Sequence, residues 1–201
     1  MKRFFIFTTL LLLAFSLQAQ DTELLKRIKE ANSAKTSFES DLSNLFVKKG
    51  KQTSQEGKLY FVKPYRFTAQ FTTGKYIIVN EEKIKMNIGL FHGTYRIKEG
   101  GMMQSLANIF LYGFQGRTQD LADENNYSLT TKTENGYHII TGTINKKRLL
   151  GLGYKQVIFK YHTDSLLLKE IVLYDYSGNM DVYTISNANY NVTVEPGHFE
   201  I

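Results

Sequence analysis

The chain predicts an α+β fold: one large, strongly curved antiparallel sheet accompanied by two helices. Three observations carry that expectation. Aromatic residues are abundant, with 14 Phe and 13 Tyr among 201 residues, while Pro occurs only twice, a balance that favours strands. Alternation of apolar and polar residues recurs along most of the chain between turn residues, which reads as consecutive hairpins. Two segments break that period, an amphipathic one near the start and a nearly all-apolar one at 102–114. An apolar content of 42% excludes a disordered chain.

The N-terminus comes first. Met1-Lys2-Arg3 precedes a mostly apolar run from Phe4 to Leu17, then Gln18-Ala19-Gln20-Asp21. This basic–apolar–small pattern predicts a secretory signal at 1–19, cleaved near Ala19, and a single mature domain at 20–201. The run is short for a membrane span, which takes about 20 apolar residues. Removing it takes away Lys2 and Arg3 and no acid, so the formal charge falls by two, from +6 to +4. The chain has no Cys. That excludes disulfides, a thiolate metal site, a Cys nucleophile and a lipid anchor on a Cys of its own.

From Asp21 to Ala34, Leu24, Leu25, Ile28 and Ala31 fall at helical spacing, and Asp21 can cap the start. Ser37–Val47 reads as a strand, followed by a polar tip at 48–54. Alternation then predicts strands at 57–63, 66–73, 76–80, 83–88 and 92–98, with Pro64-Tyr65, Gly74 and Glu81-Glu82 between them. Met102–Phe114 follows Gly100-Gly101 and is apolar almost all round, so it must be buried or cover something apolar. Strands return at 127–133 and 137–145 about the turn Glu134-Asn135-Gly136. A loop at 146–153 carries Leu149, Leu150 and Leu152. Further strands are expected at 154–162, 166–174, 181–187 and 190–194.

The search for chemistry returns no catalytic or metal motif. His92, His138, His162 and His198 are far apart, without the i, i+4 spacing of a helical zinc site. No nucleophile elbow or phosphate-binding glycine loop occurs. Asp175, Asp181 and Glu170 can sit near each other on adjacent strands, which pairing or solvation explains more cheaply than acid–base catalysis. The basic clusters Lys48-Lys49-Gly50-Lys51 and Lys146-Lys147-Arg148 fall at turns and carry no nucleic-acid recognition motif. The expectation is a non-enzyme without metal, cofactor or nucleic acid. What remains is shape. Helix 102–114 can cover the concave face of the sheet as the lid of a container, its two adjacent Met suiting varied apolar shapes, or it can plug a dry core. Periodicity alone leans toward the plug.

Several stretches resemble the LolA family of periplasmic lipoprotein carriers, over nearly the whole mature chain. Thr36-Ser37-Phe38-Glu39-Ser40-Asp41 is similar to the family's first strand. Gln55-Glu56-Gly57-Lys58-Leu59-Tyr60-Phe61-Val62-Lys63-Pro64-Tyr65-Arg66-Phe67 is similar to its most telling stretch: a Gly-led strand, a basic residue before Pro, and an aromatic-led strand. Leu168, Ile171, Leu173, Asp175 and Gly178, with Ile185, Asn187 and Phe199 after them, resemble its C-terminal hairpins.

The resemblance implies an incomplete barrel with a helical lid and a non-catalytic role. A soluble, monomeric periplasmic carrier would take an acylated lipoprotein from an inner-membrane ABC-type complex to an acceptor at the outer membrane, touching membranes only transiently. Exposed acyl chains cost about 0.8 kcal/mol per CH₂, so they need an apolar shelter. The implied acyl cavity takes Phe67, Phe71 and Ile78 from matched positions, and Leu59, Phe61, Ile84 and Met86 by strand parity. Met102, Met103, Leu106, Ile109 and Phe110 come from the lid. Lys63 falls where the family has an Arg that latches the lid, a point charge in place of a planar fork. Ala69 falls where many members carry a large aromatic. These departures, and the missing Pro-rich tail, keep open a carrier of another lipid or polyene-like tail, and the half-barrel architecture with a dry core keeps open a sensor or interaction module.

Overall fold

The computed structural model describes residues 21–88, 91–125, 127–144 and 153–201. The expected signal at 1–19 and most of the loop at 146–153 lie outside them. Eleven strands form one antiparallel sheet that does not close into a barrel. The strands are β1 (Ser37–Lys48), β2 (Lys51–Val62), β3 (Arg66–Phe71), β4 (Tyr76–Asn80), β5 (Lys83–Ile88) and β6 (Phe91–Arg96), then β7 (Tyr127–Glu134), β8 (Tyr137–Ile144), β9 (Tyr154–His162), β10 (Leu168–Asp175) and β11 (Met180–Tyr190). Helix α1 spans residues 21–33, α2 spans Met102–Gln115 and α3 spans Thr118–Asn125. The spatial order is β6-β5-β4-β3-β2-β1-β11-β10-β9-β8-β7.

This order follows from local pairing. Each half is a meander of hairpins, and the halves meet where β1 pairs β11. The chain leaves the first half at one edge strand, β6, and re-enters at the opposite edge, β7. The segment between them, α2 and α3, therefore crosses the sheet. Core residues of both halves and of α2 form one buried apolar cluster. Gly57 permits the strands to approach closely there: a Cβ on it would run into the Gln70 carbonyl oxygen.

Three expectations are corrected. The polar tip at 48–54 is a two-residue turn, Lys49-Gly50, with positive φ at both (49° and 77°); Lys48 pairs Lys51 and β2 runs on from there. Residues 51–54 are exposed on both faces, so no apolar member marks the alternation. The strand expected at 190–194 is absent. Instead β11 continues to Tyr190 through Asn187, whose φ is 52° beside a register shift against β1. Helix α3 was not foreseen, being short and polar.

The outer face of β2–β4 carries the C-terminal segment. Thr68 Oγ1 donates to the His198 carbonyl at 2.6 Å, and Asn80 Nδ2 to the Phe199 carbonyl at 3.1 Å. His198 stacks on Tyr60 with ring centroids 3.8 Å apart.

Candidate functional site

The concave face is built row by row from strand registers. Phe61 stands opposite Phe67, then Val79, Ile84 and Tyr95. The neighbouring row places Leu59 opposite Ala69, Ile77 and Met86. Across the seam, Tyr183 and Ile185 of β11 extend the same face from Asn44 and Leu42 of β1. Leu59, Phe61, Phe67, Phe71, Ile84 and Met86 are all buried here. Ile78 is a correction. It pairs Thr68 and Lys85 on the opposite face, while Ile77 and Val79 point inward and are buried. The run Ile77-Ile78-Val79 has no polar member to reveal its parity, so only the register decides it.

Helix α2 lies over this face. Phe110 meets Phe67 at 5.3 Å and Tyr183 at 5.1 Å between ring centroids. Phe114 meets Phe38 and Phe61 at 5.4 Å and Phe67 at 5.6 Å. Two aromatic side chains thus fill the trough where the halves of the sheet meet. Ile109 is buried as well, Met103 and Leu106 are half-buried against the core, and Met102 is half-buried at the first turn. A void of about 10 Å³ remains beneath the helix, lined by Leu42, Leu59, Ala69, Phe110, Phe114, Ile171, Tyr183 and Ile185. That is about one water-sized sphere, and an apolar lining of this kind stays dry.

The helix is held closely at its C-terminal end. Tyr161 Oη donates to the Gly113 carbonyl at 2.8 Å, and Gln115 Nε2 donates to the Pro64 carbonyl at 3.0 Å. Gly113 presses on the far half of the sheet: a Cβ there would lie 2.8 Å from Phe159 and 3.2 Å from Ile171. Burial pushes the Tyr161 hydroxyl far up from its ordinary range, so it serves as a neutral donor.

Lys63 is a second correction. Its Nζ donates to the Asn32 carbonyl at 3.1 Å and the Ser33 carbonyl at 2.6 Å. It holds the last turn of α1, not α2, where a cation meets unpaired carbonyls and the negative end of the helix dipole. Burial, and then the charge of Arg117, push its pKa down. Asn32 completes the junction by donating to the Ile28 and Leu166 carbonyls. Phe38, Leu42, Ile171 and Tyr183 were not anticipated as trough residues. Alternation in β1, β10 and β11 carried the signal, but nothing in it tells which face of a strand meets a helix from elsewhere in the chain.

Among the described residues, no three His, Asp or Glu gather to hold a metal ion, and no helix is long and apolar enough to cross a membrane.

The fold and the site define a class: a half-open antiparallel sheet whose apolar trough is closed by the helical crossover joining its two edges. No family model and no curated protein matches the chain. Solved structures are similar. One is a DUF1329 family protein from Desulfovibrio piger, 15% identical with a TM-score of 0.48, covering 89% of this chain and 95% of that one. Another is a LolA superfamily protein from Nitrosomonas europaea, 9% identical with a TM-score of 0.44, covering 90% and 97%. A third is a putative outer membrane lipoprotein-sorting protein domain from Vibrio parahaemolyticus, 10% identical with a TM-score of 0.47, covering 88% and 94%. Each is a likeness of overall fold.

Proposed function

We propose that this chain is an exported periplasmic carrier. It shelters the acyl chains of lipoproteins in the trough beneath α2 and shuttles them from the inner to the outer membrane. One observation carries the reading: Phe110 and Phe114 fill the apolar part of the trough from a helix that is a separate layer. Lifting that helix exposes an apolar surface on both lid and sheet, where acyl chains can replace the two rings at the cost of the Tyr161–Gly113 hydrogen bond. The sequence resemblance adds the donor, an inner-membrane ABC-type complex, and an outer-membrane acceptor. Carriage of another lipid is a variant of this reading, favoured by Ala69, whose small side chain borders the void.

A different reading has its own observation. The void is about 10 Å³, so the closed trough is full, as in a sensor or interaction module with a dry core. One experiment separates them. The mature protein is mixed with a triacylated lipoprotein in detergent-free buffer and resolved by size-exclusion chromatography, and ligands co-purified from the native host are identified by mass spectrometry. A soluble stoichiometric complex supports the lipoprotein carrier. Recovery of a different lipid alone supports the variant, and no ligand in either arm supports the dry module.

A further inference from the structure

The trough is not apolar along its whole length. Beyond Leu59 and Leu42 on the same faces of β2 and β1 stand Gln55 and Asn44, opposite each other in register. Beyond Tyr183 on β11 stands Asp181. These side chains form a directed chain of hydrogen bonds. Thr73 Oγ1 donates to Gln55 Oε1 at 2.7 Å, Gln55 Nε2 to Asn44 Oδ1 at 3.0 Å, and Asn44 Nδ2 to Asp181 Oδ1 at 3.4 Å. Gln55 and Asn44 are buried, at 8% and 3% exposure, while Thr73 is exposed and Asp181 half-buried, so the rung runs from the inner surface out to the end of the trough.

Each amide oxygen in the rung is already engaged by the preceding donor. The largest acceptor capacity left over belongs to the Asp181 carboxylate, two oxygens whose bond from Asn44 is long. Asp175, its acidic neighbour, is committed to its own turn: it accepts from the Ser177 and Asn179 amides and from Asn179 Nδ2. No ion pair to Asp181 occurs among the described residues, although the charge of Lys75 is felt there. Burial makes ionisation of this carboxyl costly. It is a partly buried acceptor lacking a strong donor at one end of a lipid-sized groove.

Length supports the same picture. Gln55 to Phe61 is six residue steps along one strand, about 20 Å at roughly 3.3 Å per step. One acyl chain spans half of the about 30 Å hydrocarbon thickness of a bilayer, so the groove accommodates a chain with its head at the polar rung.

We infer that the rung ending in Asp181 is a headgroup site, and that it takes an acyl lipid whose polar head bears a positively charged, hydrogen-bond-donating amine. The acyl tail lies toward Phe61 and the amine donates to the Asp181 carboxylate. This rests on the carrier reading above in its other-lipid form, because the N-terminal amine of a triacylated lipoprotein is acylated and uncharged, and it adds the orientation and head chemistry of that cargo.

The test is displacement of the apolar fluorophore 1-N-phenylnaphthylamine from the mature protein. The two competitors are single-chain lipids of equal acyl length, lysophosphatidylethanolamine and lysophosphatidylglycerol, used below their micellar concentrations. Expected is a preference for the ethanolamine lipid of about tenfold, the worth of one charge-assisted hydrogen bond. Asp181→Asn, which is isosteric, should reduce it to within about twofold, with a circular-dichroism spectrum like the parent's. Equal displacement by both lipids, or a preference that survives Asp181→Asn, overturns the headgroup site and leaves the carrier standing. If neither the fluorophore nor either lipid binds, the carrier reading falls and this inference with it.

Discussion

Gly113→Ala probes the contact between lid and sheet most directly. The added methyl carbon would stand 2.8 and 3.1 Å from two Phe159 ring carbons and 3.2 Å from Ile171 Cδ1. Carbon atoms settle at about 3.5–4.0 Å, so the helix must rise by roughly 0.5–1 Å or the rings must turn. Phe159 and Ile171 are 0% and 1% exposed, and only Ile171 borders the small void, so the strain falls mainly on the Phe159 ring. Overpacking of this kind costs about 1–3 kcal/mol. Alanine returns up to about 1 kcal/mol through helix propensity. The net is a loss of about 1–2 kcal/mol in lid closure, or about five- to thirtyfold in the ratio of closed to open. Two readouts separate these terms. Urea unfolding should show a lower midpoint at unchanged slope, and amide exchange should speed up in α2 more than in β9 and β10. An apolar fluorophore should bind the variant more tightly, since less work is needed to open the trough. A variant that is more stable than the parent and binds the fluorophore equally would refute the idea that close approach at Gly113 sets lid closure.

Phe110→Asp places a carboxylate among Phe67, Phe114 and Tyr183; the carrier reading expects loss of acyl binding, and a triacylated lipoprotein that still elutes with the variant would show that this face does not touch cargo. Lys63→Met removes two charge-assisted bonds to the end of α1, costing about 1–2 kcal/mol. Exchange protection should be lost first in α1, and loss first in α2 would restore Lys63 as a lid latch. Burial holds the Asp181 carboxyl at about 6, against an ordinary 3.8. The folded state therefore binds the proton more tightly, and this group lowers stability as pH rises from about 4 to about 6. The Asp181→Asn variant should gain on its parent across that window, by about 1–2 kcal/mol once partial exposure is allowed for. Parallel stability curves for the two proteins would show that the site is better solvated than its geometry indicates.

The sheet was legible wherever one face of a strand is dry and the other wet. In β3, Phe67, Ala69 and Phe71 alternate with Arg66 and Gln70, and burial follows, except at Thr68, which the C-terminal segment covers from outside. Where both faces are wet, as at 51–54, the pattern vanishes although the backbone pairing continues. Where apolar residues are consecutive, as in β4, the strand is visible but its inward face is not, hence Ile78. Helix α2 could be read because a helix apolar on nearly every side has to be covered. Its short polar successor α3 has no such demand on it. The role carried over to Lys63 failed for a different reason: a lysine before Pro64 reaches whatever carbonyls the fold brings near, and here those belong to α1. The polar rung was hidden because Thr73, Gln55, Asn44 and Asp181 come from turns and strands far apart in sequence, each unremarkable alone.

The crossover has a mechanical consequence. Its two feet stand on β6 and β7, the opposite edges of an eleven-stranded sheet, so it has no free end on which to swing. It behaves as the handle of a bucket does, and any lift changes the tension between the rims. Flattening the sheet draws the handle taut against its floor, and curling the sheet gives it slack. The curvature of the sheet and the access to the trough are then one coordinate.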